Sequence, residues 1–123
     1  MTASATTIQA IRDGQIPKGD PLPIAKASAV IAAKKTTDWI PYCHNIPIEF
    51  VGVDFDLQAD RIVVDVCVKT VAKTGVEMEA MTAATAAVLT LYDMLKAVDR
   101  AMTIEDVRLL SKSGGRSGDW QRV

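Results

Sequence analysis

A chain of 123 residues is long enough for one domain with a real core and too short to suggest two. Hydrophobic residues make up 49% of it and charged residues 24%, a balance that argues against disorder. The formal net charge of −1 offers no global attraction for nucleic acid or an anionic membrane, so any anionic ligand has to be held by a local cluster.

Taken in chain order, TTIQAIRDG reads as a short helix closed by Gly14, and IPKGDP as a turn that exposes Lys18. LPIAKASAVIAAKKT has apolar residues at helical spacing and gathers lysines at its C-terminal end, where the macrodipole favours them. TDWIPYCHNIP contains Pro41 and Pro47, shows no period, and is expected to be irregular. IEFVGVDFDLQ and RIVVDVCVKTV alternate apolar and polar residues around Ala59 and Asp60, the pattern of a β-hairpin. A long helix is expected from about Glu77 to Asp99, followed by a strand in IEDVRLLSK and a tail, SGGRSGDWQRV. Strands in a hairpin with helices outside it predict an α+β sandwich, helices packed on one face of a mainly antiparallel sheet. Two cysteines, Cys43 and Cys67, are too few for a disulfide scaffold, and the first residues show neither the basic start nor the apolar run of a signal peptide. A cytoplasmic protein is the expectation.

The long helix holds the sharpest local signal. From Ala80 to Tyr92 it carries no charge, and then Asp93 and Lys96 appear three residues apart, on neighbouring turns of one face. An ordinary surface ion pair explains them at about 0.2 to 0.5 kcal/mol. On a helical wheel, however, Lys96 extends a stripe through Met78, Thr82, Thr85 and Leu89, and a partly desolvated lysine beside a carboxylate suits acid/base work. The uncharged run is too short for a bilayer, which needs about 20 apolar residues. A helix apolar all round in so small a domain also predicts cover on two faces, by its own sheet and by another subunit.

The remaining candidates each have a plain reading beside a functional one. His44, the only histidine, is either a hydrogen-bonded loop residue or a phosphate, base or proton-transfer group. A metal centre is poorly supported, since adjacent Cys43 and His44 point apart and too few further ligands exist. Glu77 and Glu79 sit where a helix dipole favours carboxylates, and either also suits the adjacent N–H donors of a purine or pterin edge. SKSGGRSG is not a Walker A loop. Even so, Lys112 and Arg116 flank two glycines whose backbone N–H groups can form an anion nest.

Five segments, IPKGD, AAKKT, IPYCHNIP, KTGVEMEAMTAATAAVLTLYDMLKAV and RLLSKSGGRSGDW, occur in the order and spacing of the cyclic pyranopterin monophosphate synthases, the second enzymes of molybdenum cofactor biosynthesis. The chain resembles that family from roughly Ile8 to Trp120. The resemblance implies a ferredoxin-like α+β subunit and a hexamer built as a trimer of dimers, with active sites at subunit interfaces. It also implies conversion of cyclised dihydro-GTP to cyclic pyranopterin monophosphate with release of pyrophosphate. By the same resemblance Asp93 and Lys96, with Lys18 and His44, form the catalytic set, and Lys18, His44, Lys112 and Arg116 neutralise phosphate charge. Cys43, Glu77, Met78 and Glu79 fall at substrate-binding positions. No cofactor is implied beyond Mg²⁺ accompanying the triphosphate, and no nucleic-acid or membrane partner.

Two departures stand out. Asn45 occupies the position of a family proline. The family also ordinarily carries a further segment ahead of the region equivalent to Thr7, with an arginine for the triphosphate and a strand for the sheet. The expectation is a single domain over residues 1–123 without that segment, which keeps a second reading open: a non-catalytic nucleotide- or pterin-binding paralogue of the same fold.

Overall fold

The computed structural model describes residues 1–123, in the order α1 (Ala5–Arg12), α2 (Pro21–Lys34), β1 (Phe50–Leu57), β2 (Ile62–Lys69), α3 (Glu77–Leu95), β3 (Ser111–Lys112) and β4 (Trp120–Gln121). The first two helices start where the sequence supplies caps. Ser4 accepts the Thr7 N–H through its hydroxyl oxygen, and Asp20 accepts the Leu22 N–H ahead of Pro21, whose missing donor costs nothing in a first turn. Gly14, at φ +67°, follows α1 in the left-handed conformation that ends helices.

β1 and β2 pair antiparallel in a continuous register from Phe50 with Lys69 to Leu57 with Ile62, and Gln58 N–H closes the turn on the Arg61 carbonyl at 2.9 Å. Period-2 alternation puts Val51, Val53, Phe55 and Leu57 on one face with Ile62, Val64 and Val66, and that face meets the helices. α2 packs closely on α3, because Ala25, Ala29 and Ala33 of one and Ala83 and Ala87 of the other present almost no side-chain bulk. Ile62, Leu91 and Leu95 are the largest apolar side chains wholly withdrawn from water. The architecture is the α+β, ferredoxin-like arrangement expected, with helices on one face of antiparallel strands.

Two expectations need correction. α3 ends at Leu95 rather than near Asp99, so Lys96 is its C-cap residue. The strand expected over 104–112 does not form: Asp106, at φ +62°, turns the backbone out of an extended course, and only Ser111 and Lys112 pair, with Gln121 and Trp120. A strand also needs a neighbour. Met1 to Ala3 lie between the start of β2 and Thr103: Ile62 N–H donates to the Met1 carbonyl at 2.9 Å, and Thr2 N–H to the Thr103 carbonyl at 2.9 Å. Further along β2, a cleft of about 290 Å³ lies between Val64–Val68, the N-terminal part of α3 and the segment 107–113. The Met1 ammonium donates to the Ile62 carbonyl at 3.0 Å, and its burial lowers its pKa.

α3 is covered by α2 and by β2, and part of its surface stays open. Leu89 is 52% exposed, and with Ile31 and Trp39 it lines an open apolar groove between α2 and α3. No helix is long and apolar enough to cross a membrane.

Candidate active site

Lys18 lies in the turn between α1 and α2, which is anchored by buried Ile16, closed by a Gly19 N–H to Ile16 carbonyl bond and released into α2 by the Asp20 cap. That turn carries Lys18 to the C-terminal end of α3. Its ammonium donates to the Asp93 carbonyl at 3.1 Å and lies 3.3 Å from Asp93 Oδ2. Lys96 reaches the other carboxylate oxygen, Oδ1, at 2.9 Å. One carboxylate therefore bridges two ammonium groups from distant parts of the chain. Lys96 holds Asp93 below the usual carboxylate range, and Lys18 adds to the effect. All three side chains remain about half exposed, so the desolvation expected of Lys96 is absent from the isolated chain. The stripe proposed through Met78, Thr82, Thr85, Leu89 and Lys96 is likewise not one surface: Thr82 is buried, while Met78, Leu89 and Lys96 are exposed.

A second cluster forms at the N-terminal end of α3. Lys112 Nζ lies 3.0 Å from Glu77 Oε1 and donates to Ser117 Oγ at 2.7 Å, with only 14% of its side chain exposed. Glu77 is held below the usual carboxylate range first by its own backbone N–H and then by Lys112. Two glycines make room for this pair. A Cβ on Gly75 would collide with the Glu77 carboxylate, and one on Gly115 would approach Gly75 N to 3.3 Å and Lys112 Nζ to 3.5 Å. An ammonium has three donors, so Lys112 keeps one for a ligand oxygen after serving Glu77 and Ser117. In the glycine turn, Gly114 N–H donates to Asp119 Oδ1 at 3.0 Å, so one donor of the expected nest is already engaged.

Beside it, Glu79 is buried, and its Oε2, at 3.6 Å, is the nearer acceptor for the one hydrogen of the Cys43 thiol, the His44 carbonyl lying at 3.8 Å. Burial raises the Cys43 pKa and the neighbouring Glu79 carboxylate raises it further, so this thiol does not become a thiolate near neutral pH. His44, Asn45, Met78 and Arg116 are all exposed. Nowhere do three His, Cys, Asp or Glu side chains converge as a metal-binding group.

The ten residues singled out in the sequence thus fall mostly into two groups. Lys18, Asp93 and Lys96 meet at one end of α3, and Cys43, Glu77, Glu79 and Lys112 lie towards the other. Glu77 and Asp93 are about 24 Å apart along the helix at 1.5 Å per residue. Ser117, Asp119 and Gly75 were not anticipated. A glycine-rich stretch near a terminus reads as a solvated tail, and its polar residues acquire meaning only once the chain has folded back as β3 and β4.

A profile of the MoaC family matches residues 1–115. The chain is 51% identical over 116 residues to a cyclic pyranopterin monophosphate synthase of Peptoclostridium acidaminophilum, a match covering 94% of this chain and 74% of the relative. It is 49% identical over 118 residues to the protein so named from Thermomicrobium roseum, covering 94% and 71%. With that of Clostridium acetobutylicum it shares 49% identity over 119 residues, covering 95% and 74%.

Proposed function

The chain belongs to the MoaC family, and from that premise we propose that it is an enzyme of molybdenum cofactor biosynthesis that converts cyclised dihydro-GTP to cyclic pyranopterin monophosphate with release of pyrophosphate. The observation that carries the reading is the Lys18–Asp93–Lys96 cluster. Opening the purine ring, closing the pterin and forming the cyclic phosphate all require proton transfers. A carboxylate held between two ammonium groups orients both, and each ammonium is an acid when protonated and a base once it has given its proton away. Lys96 and Asp93 act as the acid/base pair, with Lys18 as its third member. His44, Lys112 and Arg116 counter the phosphate charge, Glu77 and Glu79 orient the base edge, and Cys43 and Met78 border it. Asn45 stands where the resemblance implies a proline, and His44 beside it is exposed. No redox cofactor or protein-bound metal enters this reading. Any Mg²⁺ arrives with the triphosphate.

The two groups are too far apart along α3 for one catalytic contact within a single subunit. A homo-oligomer resolves this, because a second copy placed over the open groove of Ile31, Trp39 and Leu89 buries apolar surface and can bring one end of its α3 towards the other end of the first. The assembly we favour is a cytoplasmic hexamer, a trimer of dimers, of single-domain subunits over residues 1–123. Incubating purified protein with 3′,8-cyclo-7,8-dihydroguanosine 5′-triphosphate and assaying pyrophosphate and pterin fluorescence tests the function. Product at a rate proportional to protein supports it. Binding without turnover identifies a non-catalytic paralogue instead.

A further inference from the structure

Glu79 is 3% exposed, on the first turn of α3, and the donor that meets its carboxylate is a thiol. A carboxylate offers about four lone-pair sites and a thiol is a weak donor, so this carboxylate is poorly satisfied for one so withdrawn from water. The arrangement is nevertheless well built. The backbone turn that places Cys43, with its N–H donating to the Ile40 carbonyl at 3.1 Å, follows the single 3₁₀ turn at Thr36–Asp38, itself pinned by buried Thr36 bonding back to Ala32 and Ala33. A loop without periodic structure is thereby held so that Cys43 meets Glu79 across the chain.

We propose that Cys43 is a positioning residue: its neutral thiol donates to Glu79 Oε2, orients the carboxylate, and leaves Oε1 for the adjacent N–H donors of a guanine- or pterin-like edge. This rests on the reading of Glu79 as the residue that orients the base. A lysine in the same place would engage both carboxylate oxygens and compete with the ligand, whereas a hydroxyl, like the thiol, has one hydrogen to give and leaves Oε1 free; an alanine would leave the carboxylate without a donor and free to turn. The thiol holds the group while surrendering it easily. It is not a nucleophile, since both its burial and the adjacent carboxylate disfavour the thiolate.

The test uses the full chain with exposed Cys67 changed to Ser, so that Cys43 is the sole thiol. Three variants are compared with that parent in steady-state turnover of the cyclised dihydro-GTP: Cys43→Ala, Cys43→Ser and Glu79→Gln. Loss of a hydrogen bond to a charged group predicts a KM raised about tenfold in Cys43→Ala with a much smaller change in kcat. Cys43→Ser recovers most of the lost affinity, because a hydroxyl can donate to the same oxygen. Independently, the rate of Cys43 alkylation by iodoacetamide is followed against pH: in Glu79→Gln its midpoint moves down, because a repelling carboxylate has gone. An unchanged KM in Cys43→Ala, with substrate affinity lost in Glu79→Gln, overturns the inference and leaves the reading of Glu79 standing. Abolished turnover in Cys43→Ser, with an unmoved alkylation midpoint in Glu79→Gln, overturns it in favour of a nucleophile. An unchanged KM in Glu79→Gln removes the reading of Glu79 and this inference with it.

Discussion

Asp93 decides whether the cluster at the end of α3 is chemistry or ornament. Two ammonium groups on one carboxylate are more than a helix surface needs, and their exposure means they add little to stability, since solvent screens such pairs. Asp93→Asn and Lys96→Gln should therefore each leave the fold and melting temperature nearly unchanged. Turnover should fall by about 10² to 10⁴, the usual effect of removing a general acid or base. In a group acting as a unit the double variant is scarcely worse than either single one. Steady-state assays beside circular dichroism check this, and near-normal turnover in Lys96→Gln returns the pair to an ordinary surface role. Spacing alone made Asp93 and Lys96 visible as a pair, because positions three apart on a helix are neighbours by construction. Lys18 could join them only through the fold. Nothing in seventy-odd intervening residues marks that contact, and the residue was singled out by resemblance.

At the scale of elements, the ends of the chain are tied in by side chains whose partners are remote in sequence. Asp99, just beyond α3, accepts the Ser4 N–H and the Thr7 hydroxyl through Oδ2, each at 2.9 Å, and the Ala101 N–H through Oδ1 at 3.2 Å. The Ser4 N–H is the main reason its pKa lies below the ordinary 3.8, and Thr7 and Ala101 add to it. A depressed carboxylate stabilises the fold at every pH above its unfolded value, and that contribution is lost as pH falls through the lower folded value. Asp99→Ala should cost about 1 to 2 kcal/mol near neutral pH, as for a lost set of charge-assisted bonds. The gap to the parent should narrow as pH falls below the ordinary 3.8 and through the lower folded value, as the parent carboxyl takes up its proton. Urea unfolding at a series of pH values measures it, and a gap independent of pH would show that packing rather than ionisation holds the helix. The same scale explains the missing strand. Alternation in IEDVRLLSK is a real sequence signal, but a strand needs a ladder partner, and Asp106 and the placement of Met1–Ala3 remove it.

For the molecule as a whole, the exposed apolar groove and the separation of the two clusters point the same way. Leu89→Glu places a charge in the groove without touching the core, so it should lower the mass seen by light scattering while leaving the secondary structure intact. An unchanged mass would move the interface elsewhere, and a monomeric parent would remove it. Sites shared between copies make a sharper prediction. Lys96→Gln alters one end of α3, and Lys112→Ala with Arg116→Ala removes the two cations proposed to counter phosphate charge. Mixed and allowed to exchange subunits, the two inactive proteins should regain part of the parental turnover, because some interfaces then carry one intact contribution from each. No recovery after demonstrated exchange would place each site within one subunit.

The amino-acid sequence by itself determined what depends on short-range geometry. Helical and period-2 spacing set α1, α2, α3 and the β1–β2 hairpin, caps at Ser4 and Asp20 set where helices begin, and local patterning was enough to infer an α+β sandwich. Tertiary structure alone decided what depends on contacts between remote residues. It brought Lys18 to Asp93, set Cys43 against Glu79, folded the glycine-rich tail back so that Lys112 met Glu77, and denied residues 104–110 a strand. The physical reason is the same in each case: periodicity reports which face of its own element a side chain occupies, whereas a partner across the chain is chosen by how the elements pack, and no local pattern encodes that choice.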